Sequence, residues 1–224
     1  MPLLVISPSQ QEANQYAGAG TGYADSEQAW MEKLAYKVKG RFDAQAWGIK
    51  CVVIEEGSVG GQVRKSNALG ATEHLALHTN AGGGHGSLVI HHQGSTKGAA
   101  LARSLFTPIA AASDRADVGI WSRTTYYETR ETHAPAVIVE YAFHDNVTEA
   151  AEIRASLDEY ADATVKGLAA YYGKRYTVPG VPTRYFEVRI HTSEPELAAY
   201  KALAAAQGDF LKPTVTPKDS WRSW

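Results

Sequence analysis

The segment APAVIVEYAF (134–143) contains the strongest strand signal in the sequence. It is apolar almost throughout instead of alternating between apolar and polar residues, which is typical of a strand buried on both faces. Its one charged residue, Glu140, would be costly to bury unless the carboxylate is paired or functional. We therefore expect this strand to lie near the centre of a sheet and Glu140 to take part in function.

Short apolar runs alternate with helical patterns on either side of this strand. This order indicates an α/β fold with a mainly parallel central sheet flanked by helices. Further strands are predicted at 3–7, 49–55, 74–78 and 87–92. Helices are predicted at 26–40, 58–71, 97–113 and 147–173, with the third kinked or divided at Pro108.

The composition changes after Tyr176. Residues 177–183 contain two prolines and a glycine, a composition typical of a linker. A strand pattern at 184–192 and a helical pattern at 194–208 follow. We expect a main domain at 1–176, a linker at 177–183, and a small C-terminal strand-helix extension at 184–224 whose role the sequence does not identify.

The overall charge and hydropathy exclude several classes of partner. A net charge of -2 and a pI near 6.4 argue against nucleic acid or an anionic membrane as an obligate partner. No apolar run approaches the roughly 20 residues that span a bilayer, so stable membrane insertion is not expected. The first ten residues lack a basic region and a long apolar run, which predicts synthesis in the cytoplasm without a signal peptide.

Three residues are candidates for chemistry because of their places at strand and helix ends. His78 ends a predicted strand, Glu140 lies near the end of another, and Glu27 begins the helix after the first strand. In a parallel α/β sheet such groups gather at one edge. One imidazole and two carboxylates are what a hydrolytic zinc site needs. Each also has a plainer interpretation: Glu27 as a first-turn acid, His78 as a hydrogen-bonded strand-end histidine.

Four segments in this order resemble zinc-dependent N-acetylmuramoyl-L-alanine amidases: SPSQQEANQYAGAG, SEQAWMEKLA, LALHTNAGGG and ETRETHAPAVIVEYAFHDN. The resemblance covers roughly residues 3–173 and is closest to the branch of Gram-positive bacteria and their phages, including phage endolysins. It implies an α/β fold and hydrolysis of the amide between N-acetylmuramic acid and L-alanine in bacterial peptidoglycan. By position, the resemblance makes Glu27 and His78 zinc ligands and Glu140 the catalytic acid and base. It also implies that the protein acts on the cell wall after release from the cell.

The sequence departs from this family at one position. The loop after the first strand usually reads much like QEHN, and here it reads Gln11-Glu12-Ala13-Asn14. Ala13 therefore stands where the resemblance places the first histidine ligand, and it cannot bind a metal. Two protein ligands make a far weaker zinc site than three, so we expect doubtful zinc occupancy and impaired hydrolysis.

Three explanations for Ala13 stay open at this point. The histidine could have been replaced deliberately to inactivate the protein, or the chain could be a natural pseudoenzyme that binds peptidoglycan without cutting it. Alternatively another residue could complete the site, and we rank this third explanation below the other two. The candidates are Glu12, Asn14, His74 and His85. Residues 12 and 14 should point away from the position of Ala13 in an extended chain, and His74 is about 13 Å from His78 along its strand.

Two further residues are predicted to contact substrate. Arg130 could bind a carboxylate of the stem peptide, although a surface ion pair with Glu128 or Glu131 is as good an interpretation. Asn80, beside the glycines at 82–84, could line the cleft next to His78. In the segment FHDN (143–146), we expect a turn with Asn146 capping the last helix, and His144 is a lesser candidate for contact with substrate. A zinc exopeptidase is a further alternative, but the additional metal or terminus-binding residues it would need are not evident.

Overall fold

The computed structural model describes residues 1–112 and 118–179, which form a six-stranded sheet with helices packed against it. The strands are β1 Leu3–Pro8, β2 Lys50–Val53, β3 Glu73–Asn80, β4 Leu88–His92, β5 Gly119–Arg123 and β6 Ala136–Phe143. The helices are α1 Glu27–Asp43, α2 Val59–Leu69, α3 Thr96–Ala111, α4 Tyr127–Glu131, α5 Val147–Ala155 and α6 Leu157–Tyr171. The predicted extension at 184–224 and the end of the predicted linker lie outside the described residues.

The strand order in the sheet is β2-β1-β3-β6-β4-β5. The β4–β6 pair is antiparallel and the other four pairs are parallel. This confirms the predicted α/β fold with a mainly parallel sheet. It also confirms the central position of the 134–143 strand, because β6 lies between β3 and β4.

Successive side chains of β6 pack into two separate apolar clusters, one on each face of the sheet. Val137, Val139 and Tyr141 join the larger core, to which α1, α3 and α6 contribute buried apolar side chains. Ile138 lies on the opposite face, in a smaller cluster with Ala76, Leu88 and Ile90. Because successive side chains of a strand point to opposite faces, Glu140 shares this second face with Ile138.

Helix α3 runs through Pro108 as one helix, so the predicted division there is wrong, and the alternative of a kink stays a prediction. A proline at 108 cannot donate a hydrogen bond to the carbonyl of Ser104, four residues earlier. Helix α6 packs closely at this point through Gly167, where an added Cβ would lie 2.7 Å from the Ser104 oxygen. Helix α3 therefore stays continuous at Pro108, where it packs closely against α6.

Three other parts of the fold differ from the predicted elements. The single helix predicted at 147–173 is two helices, α5 and α6, separated by Ser156, whose φ of -116° and ψ of 28° are not helical. Strand β5 and helix α4 were not predicted. Each has only five residues, and α4 has no side-chain cap at its start, so neither carries the periodicity or capping signals that identify longer elements.

Candidate functional site

His78 and Glu140 are direct neighbours in the sheet. They are register partners between the parallel strands β3 and β6, and the register shifts just afterwards, between His78 and Asn80. His78 is buried and Glu140 is half-buried, with its Oε2 atom shielded from solvent. The parallel pairing thus brings together the imidazole and the carboxylate that the sequence placed at two separate strand ends.

Glu27 reaches the same place from the first turn of α1. Ser26 caps this helix by accepting a hydrogen bond from the amide of Ala29, which fixes where the helix begins. The Glu27 side chain is fully buried, and its Oε1 accepts a hydrogen bond from the Thr79 amide at 3.2 Å. The same oxygen lies 3.0 Å from His78 Nδ1. The structure therefore brings Glu27, His78 and Glu140 together at one edge of the sheet.

The loop that contains Ala13 folds over this group. Asn14 donates a hydrogen bond from Nδ2 to Glu27 Oε2 at 2.6 Å, and Gln11 Nε2 lies 3.3 Å from His78 Nδ1. The expectation that Asn14 points away from the site is wrong, because the loop is not extended. It turns here, with the Asn14 amide donating to the Gln11 carbonyl at 3.3 Å. Ala13 itself is exposed within this turn.

Glu128 is a residue of the site that the sequence did not reveal. It lies on the short helix α4, is buried, and places Oε2 3.2 Å from His78 Nε2. This is a close ion-pair contact. Within the described residues, His78 Nε2 and Glu128 Oε1 have no hydrogen-bond partner. The imidazole of His78 thus lies between two carboxylates, Glu27 at Nδ1 and Glu128 at Nε2.

Burial and mutual charge shift the pKa values of the four groups in different directions. Burial raises the pKa of Glu140 to about 7, and the negative charges of Glu27 and Glu128 add to this effect while His78 opposes it. For Glu27 and Glu128, burial acts upward, but contact with His78 outweighs it and lowers each pKa. For His78, burial acts downward, yet the charge of Glu128 and the contact with Glu27 hold its pKa well above 6.5. The cluster therefore contains one carboxyl group that can change its protonation state near neutral pH.

The residues that follow β6 contact the site and the loop after β3. His144 is buried against Tyr16, and its Nδ1 lies 3.2 Å from the Thr79 carbonyl and 3.9 Å from Glu27 Oε2. Asp145 accepts hydrogen bonds from the amides of Gly82 and Gly83, which fixes the glycine-rich loop after β3.

Asn146 caps the helix that follows this segment. Its side chain accepts hydrogen bonds from the amides of Thr148 and Glu149 at the start of α5. The predicted helix cap is therefore confirmed.

The two residues predicted to contact substrate have local partners. Asn80 ends β3, and its Oδ1 accepts a hydrogen bond from the amide of Ala81 at 2.9 Å. Arg130 is exposed and pairs with Glu131, with Nε 2.6 Å from Oε1. Of the two ion-pair partners suggested for Arg130, Glu131 has this role, whereas Glu128 faces His78. The substrate roles of Asn80 and Arg130 stay predictions.

Two histidines considered as replacements for the first ligand have other partners. His74 is fully buried, and its two ring nitrogens each lie 2.9 Å from a serine hydroxyl, of Ser7 and of Ser66. Burial lowers its pKa to about 4, so it is a neutral, internally bonded histidine. His85 is exposed, with Nδ1 3.4 Å from Asn146 Nδ2 and 3.7 Å from Glu149 Oε1.

The donor atoms of the site match zinc in type but are one residue short in number. A carboxylate and an imidazole nitrogen, Glu27 Oε1 and His78 Nδ1, lie side by side on the loop-facing side of the cluster, and both are zinc ligands in proteins. Ala13 adds no donor there. Glu128 faces the opposite nitrogen of the His78 ring, so it cannot join the same pair. Accordingly, no group of three or more His, Cys, Asp or Glu side chains in the described ranges has the geometry to hold a metal ion.

Comparison with solved structures finds amidase catalytic domains with this fold. The catalytic domain of CwlV, an N-acetylmuramoyl-L-alanine amidase from Bacillus (Paenibacillus) polymyxa var. colistinus, is 19% identical, with a TM-score of 0.68 over 78% of this chain and 100% of that one. An N-acetylmuramoyl-L-alanine amidase from Clostridium difficile 630 is 20% identical, with a TM-score of 0.68 over 78% and 98%. The catalytic domain of the CD27L endolysin, which targets Clostridium difficile, is 20% identical, with a TM-score of 0.62 over 79% and 100%.

Sequence comparison assigns the family independently of these structures. No curated protein sequence matches the chain. The family model for N-acetylmuramoyl-L-alanine amidase (Amidase_3) matches residues 6–170, a range that includes Ala13, Glu27, His78 and Glu140. The match covers most of the chain and all of the strands and helices that build the site. This chain belongs to the N-acetylmuramoyl-L-alanine amidase family.

Proposed function

We propose that this chain is a peptidoglycan amidase domain, directed at the amide between N-acetylmuramic acid and L-alanine, whose hydrolytic activity is strongly impaired by Ala13. One observation carries the proposal. Glu27 and His78 are in contact, Glu140 is the register partner of His78, and the loop that should complete this group presents a methyl group at position 13. The site thus retains its acid and base while lacking one ligand side chain.

Zinc is the proposed cofactor, held weakly by Glu27 and His78. When bound, the ion supplies a Lewis acid that polarises a carbonyl and lowers the pKa of water. With only two protein ligands, we expect zinc to dissociate readily. The contact between the Glu27 carboxylate and the His78 imidazole supports the proposal of zinc.

Glu140 is the proposed general base and general acid. Its pKa of about 7 suits both tasks, since the carboxylate can accept a proton from water and then donate it to the leaving nitrogen. Its Oε2 atom is shielded from solvent and has no hydrogen-bond partner among the described residues, so no protein hydrogen bond holds this oxygen. This route needs no nucleophilic side chain, and the only cysteine, Cys51, is buried in the core.

Asn80 and Arg130 are the proposed substrate contacts. Asn80 would line the substrate cleft, and Arg130 would exchange its exposed partner Glu131 for a carboxylate of the stem peptide. No helix among the described residues is long and apolar enough to cross a membrane. We propose that the protein acts on the bacterial cell wall, where its proposed substrate lies.

The substitution Ala13→His tests this function. We expect the variant to bind about one zinc per chain and to release intact stem peptides with a new L-alanine amino terminus from purified cell walls. Zinc content is measured by elemental analysis and the products by mass spectrometry. Glu12→His is the matched control, since it adds an imidazole one residue away and should restore neither property. A variant Ala13→His without zinc and without cleavage would overturn the proposal, and release of free amino acids would indicate an exopeptidase.

Ala13 also favours a second candidate, a peptidoglycan-binding protein that does not cut. The parent chain would then sediment with purified cell walls and release no peptides. If Ala13→His sediments equally well and still does not cleave, the fold serves only as a receptor. If the parent chain does not bind walls at all, this second candidate is wrong.

A further inference from the structure

Glu128 contacts His78 on the side of the ring that faces away from Glu27. Its Oε2 lies 3.2 Å from His78 Nε2, whereas Glu27 Oε1 lies 3.0 Å from His78 Nδ1. Both carboxylates are buried, with 5% of Glu128 and none of Glu27 exposed. The two acids come from different helices, α4 and α1, so the ring is held from opposite ends by separate elements.

The helix that carries Glu128 is fixed in place by contacts at both ends. Tyr126, just before α4, packs against the apolar cluster on the site face of the sheet. At its end, Asn67 of α2 donates to the Glu131 carbonyl at 2.9 Å and accepts from the His133 amide at 2.8 Å. Contacts from outside this short helix therefore hold Glu128 next to His78.

We propose that Glu128 is a positioning residue that orients the His78 imidazole so that Nδ1 faces Glu27 and the loop at position 13. A histidine that binds a metal through one nitrogen commonly has its other nitrogen held by a carboxylate, which fixes the tautomer and the ring orientation. Glu128 stands in that relation to His78. This inference rests on the proposed function in one respect, namely that His78 Nδ1 is the ligand atom.

The contact with His78 accounts for the burial of the Glu128 carboxylate. Burying a carboxylate costs free energy unless a partner compensates it. The nearby cation Arg130 pairs with Glu131 instead. Glu128 Oε1 has no hydrogen-bond partner in the described part of the chain, so the compensation described for this group comes from the contact with His78.

The test compares Glu128→Gln with Glu131→Gln. The first removes a charge at His78 while keeping the size of the side chain, and the second removes a charge from the exposed end of the same helix. Both are made in the parent chain and in the Ala13→His variant. The measurements are zinc affinity by competition with a chelator, and the nitrogen chemical shifts of the His78 ring in long-range proton–nitrogen NMR spectra.

We expect Glu128→Gln to weaken zinc binding by Ala13→His about 10- to 100-fold and to shift the ring nitrogen signals of His78 in the parent chain. Glu131→Gln should leave both unchanged. Equal zinc affinity together with unchanged His78 signals in Glu128→Gln would overturn the proposal. Glu128→Asp adds a check, because partial recovery of affinity is expected if the charge at Nε2 matters.

Failure of the positioning role of Glu128 can be distinguished from failure of the proposed function. If Ala13→His binds zinc but does not cleave peptidoglycan, the amidase assignment fails and the zinc affinities still decide the role of Glu128. If Ala13→His binds no zinc, the His78 signals of the parent chain decide it alone. Unchanged signals in that case would refute the positioning role.

Discussion

His78 on β3 and Glu140 on β6 are register partners in adjacent parallel strands, and their side chains share the face of the sheet opposite α1, α3 and α6. This one relationship accounts for two properties of Glu140. It places the carboxyl group beside the His78 imidazole, which belongs to the proposed site. It also places the carboxyl group where burial raises its pKa; the charges of Glu27 and Glu128 add to this effect and His78 opposes it.

Glu140→Gln, made in the Ala13→His variant, should abolish amidase activity while leaving peptidoglycan binding intact. The amide has nearly the shape of the carboxyl group but cannot carry a proton to the leaving nitrogen. Loss of general acid–base catalysis typically lowers the rate by 10²–10⁴-fold. Peptide release and wall sedimentation are measured on the same samples. Retained cleavage would show that another group moves the proton.

The same substitution should stabilise the fold at alkaline pH. The pKa of Glu140 is raised from 4.5 to about 7, so the folded chain binds the proton more tightly than the unfolded chain does. The stability from this group is fully present below pH 4.5 and is lost as pH rises through about 7. Glu140→Gln should therefore raise the free energy of unfolding at pH 8, by on the order of 2 kcal/mol, and have little effect at pH 4.

Urea unfolding of the parent chain and of this variant at both pH values provides the measurement. Glu131→Gln, on the surface, is the control and should show no such pH dependence. An equal effect of Glu140→Gln at the two pH values would contradict the assigned pKa direction.

His74 should make the fold less stable in acid. Burial lowers its pKa from 6.5 to about 4, so between these values the unfolded chain takes up a proton that the folded chain refuses. Stability therefore falls as pH is lowered from 6.5 towards 4, with this group contributing on the order of 3 kcal/mol. His74→Gln can still bond to Ser7 or Ser66 but does not titrate there. Its free energy of unfolding should fall less steeply over this pH range, and a slope equal to that of the parent would contradict the prediction.

Two helical glycines should respond to alanine with opposite signs. At Gly167 of α6, a Cβ would lie 2.7 Å from the Ser104 carbonyl oxygen and 2.8 Å from Leu105 Cα, both backbone atoms of α3. Gly167→Ala should destabilise the fold by about 1–3 kcal/mol. At Gly40 of α1, a Cβ would meet nothing within 4 Å, and Gly40→Ala should stabilise by about 0.5–1 kcal/mol. Thermal and urea unfolding of both variants would check the pair.

Periodicity and order were enough to predict much of this architecture. The apolar run at 134–143 gave the central strand, and the alternation of strands and helices gave the mainly parallel sheet. Because parallel strands end at one edge, the convergence of Glu27, His78 and Glu140 followed from their positions at element ends. The alanine at position 13 was also evident from the sequence, since it is a matter of residue identity.

Other parts of the site depended on contacts between distant segments. Glu128 gave no signal, because a five-residue helix without a side-chain cap has little periodicity and its acid could as well have faced Arg130. Asn14 reaches Glu27 only because the loop turns, which the extended-chain expectation missed.

By itself, the sequence determined the order of the elements and the identities of Ala13, Glu27 and His78, the positions at which the family resemblance predicts metal ligands. These are local properties, set by hydrophobic periodicity and by the identity of single side chains. Only the tertiary structure decided that His78 lies between Glu27 and Glu128, with Glu140 beside it. That arrangement comes from strand register and from the packing of α4 against the sheet, which join residues far apart in the chain.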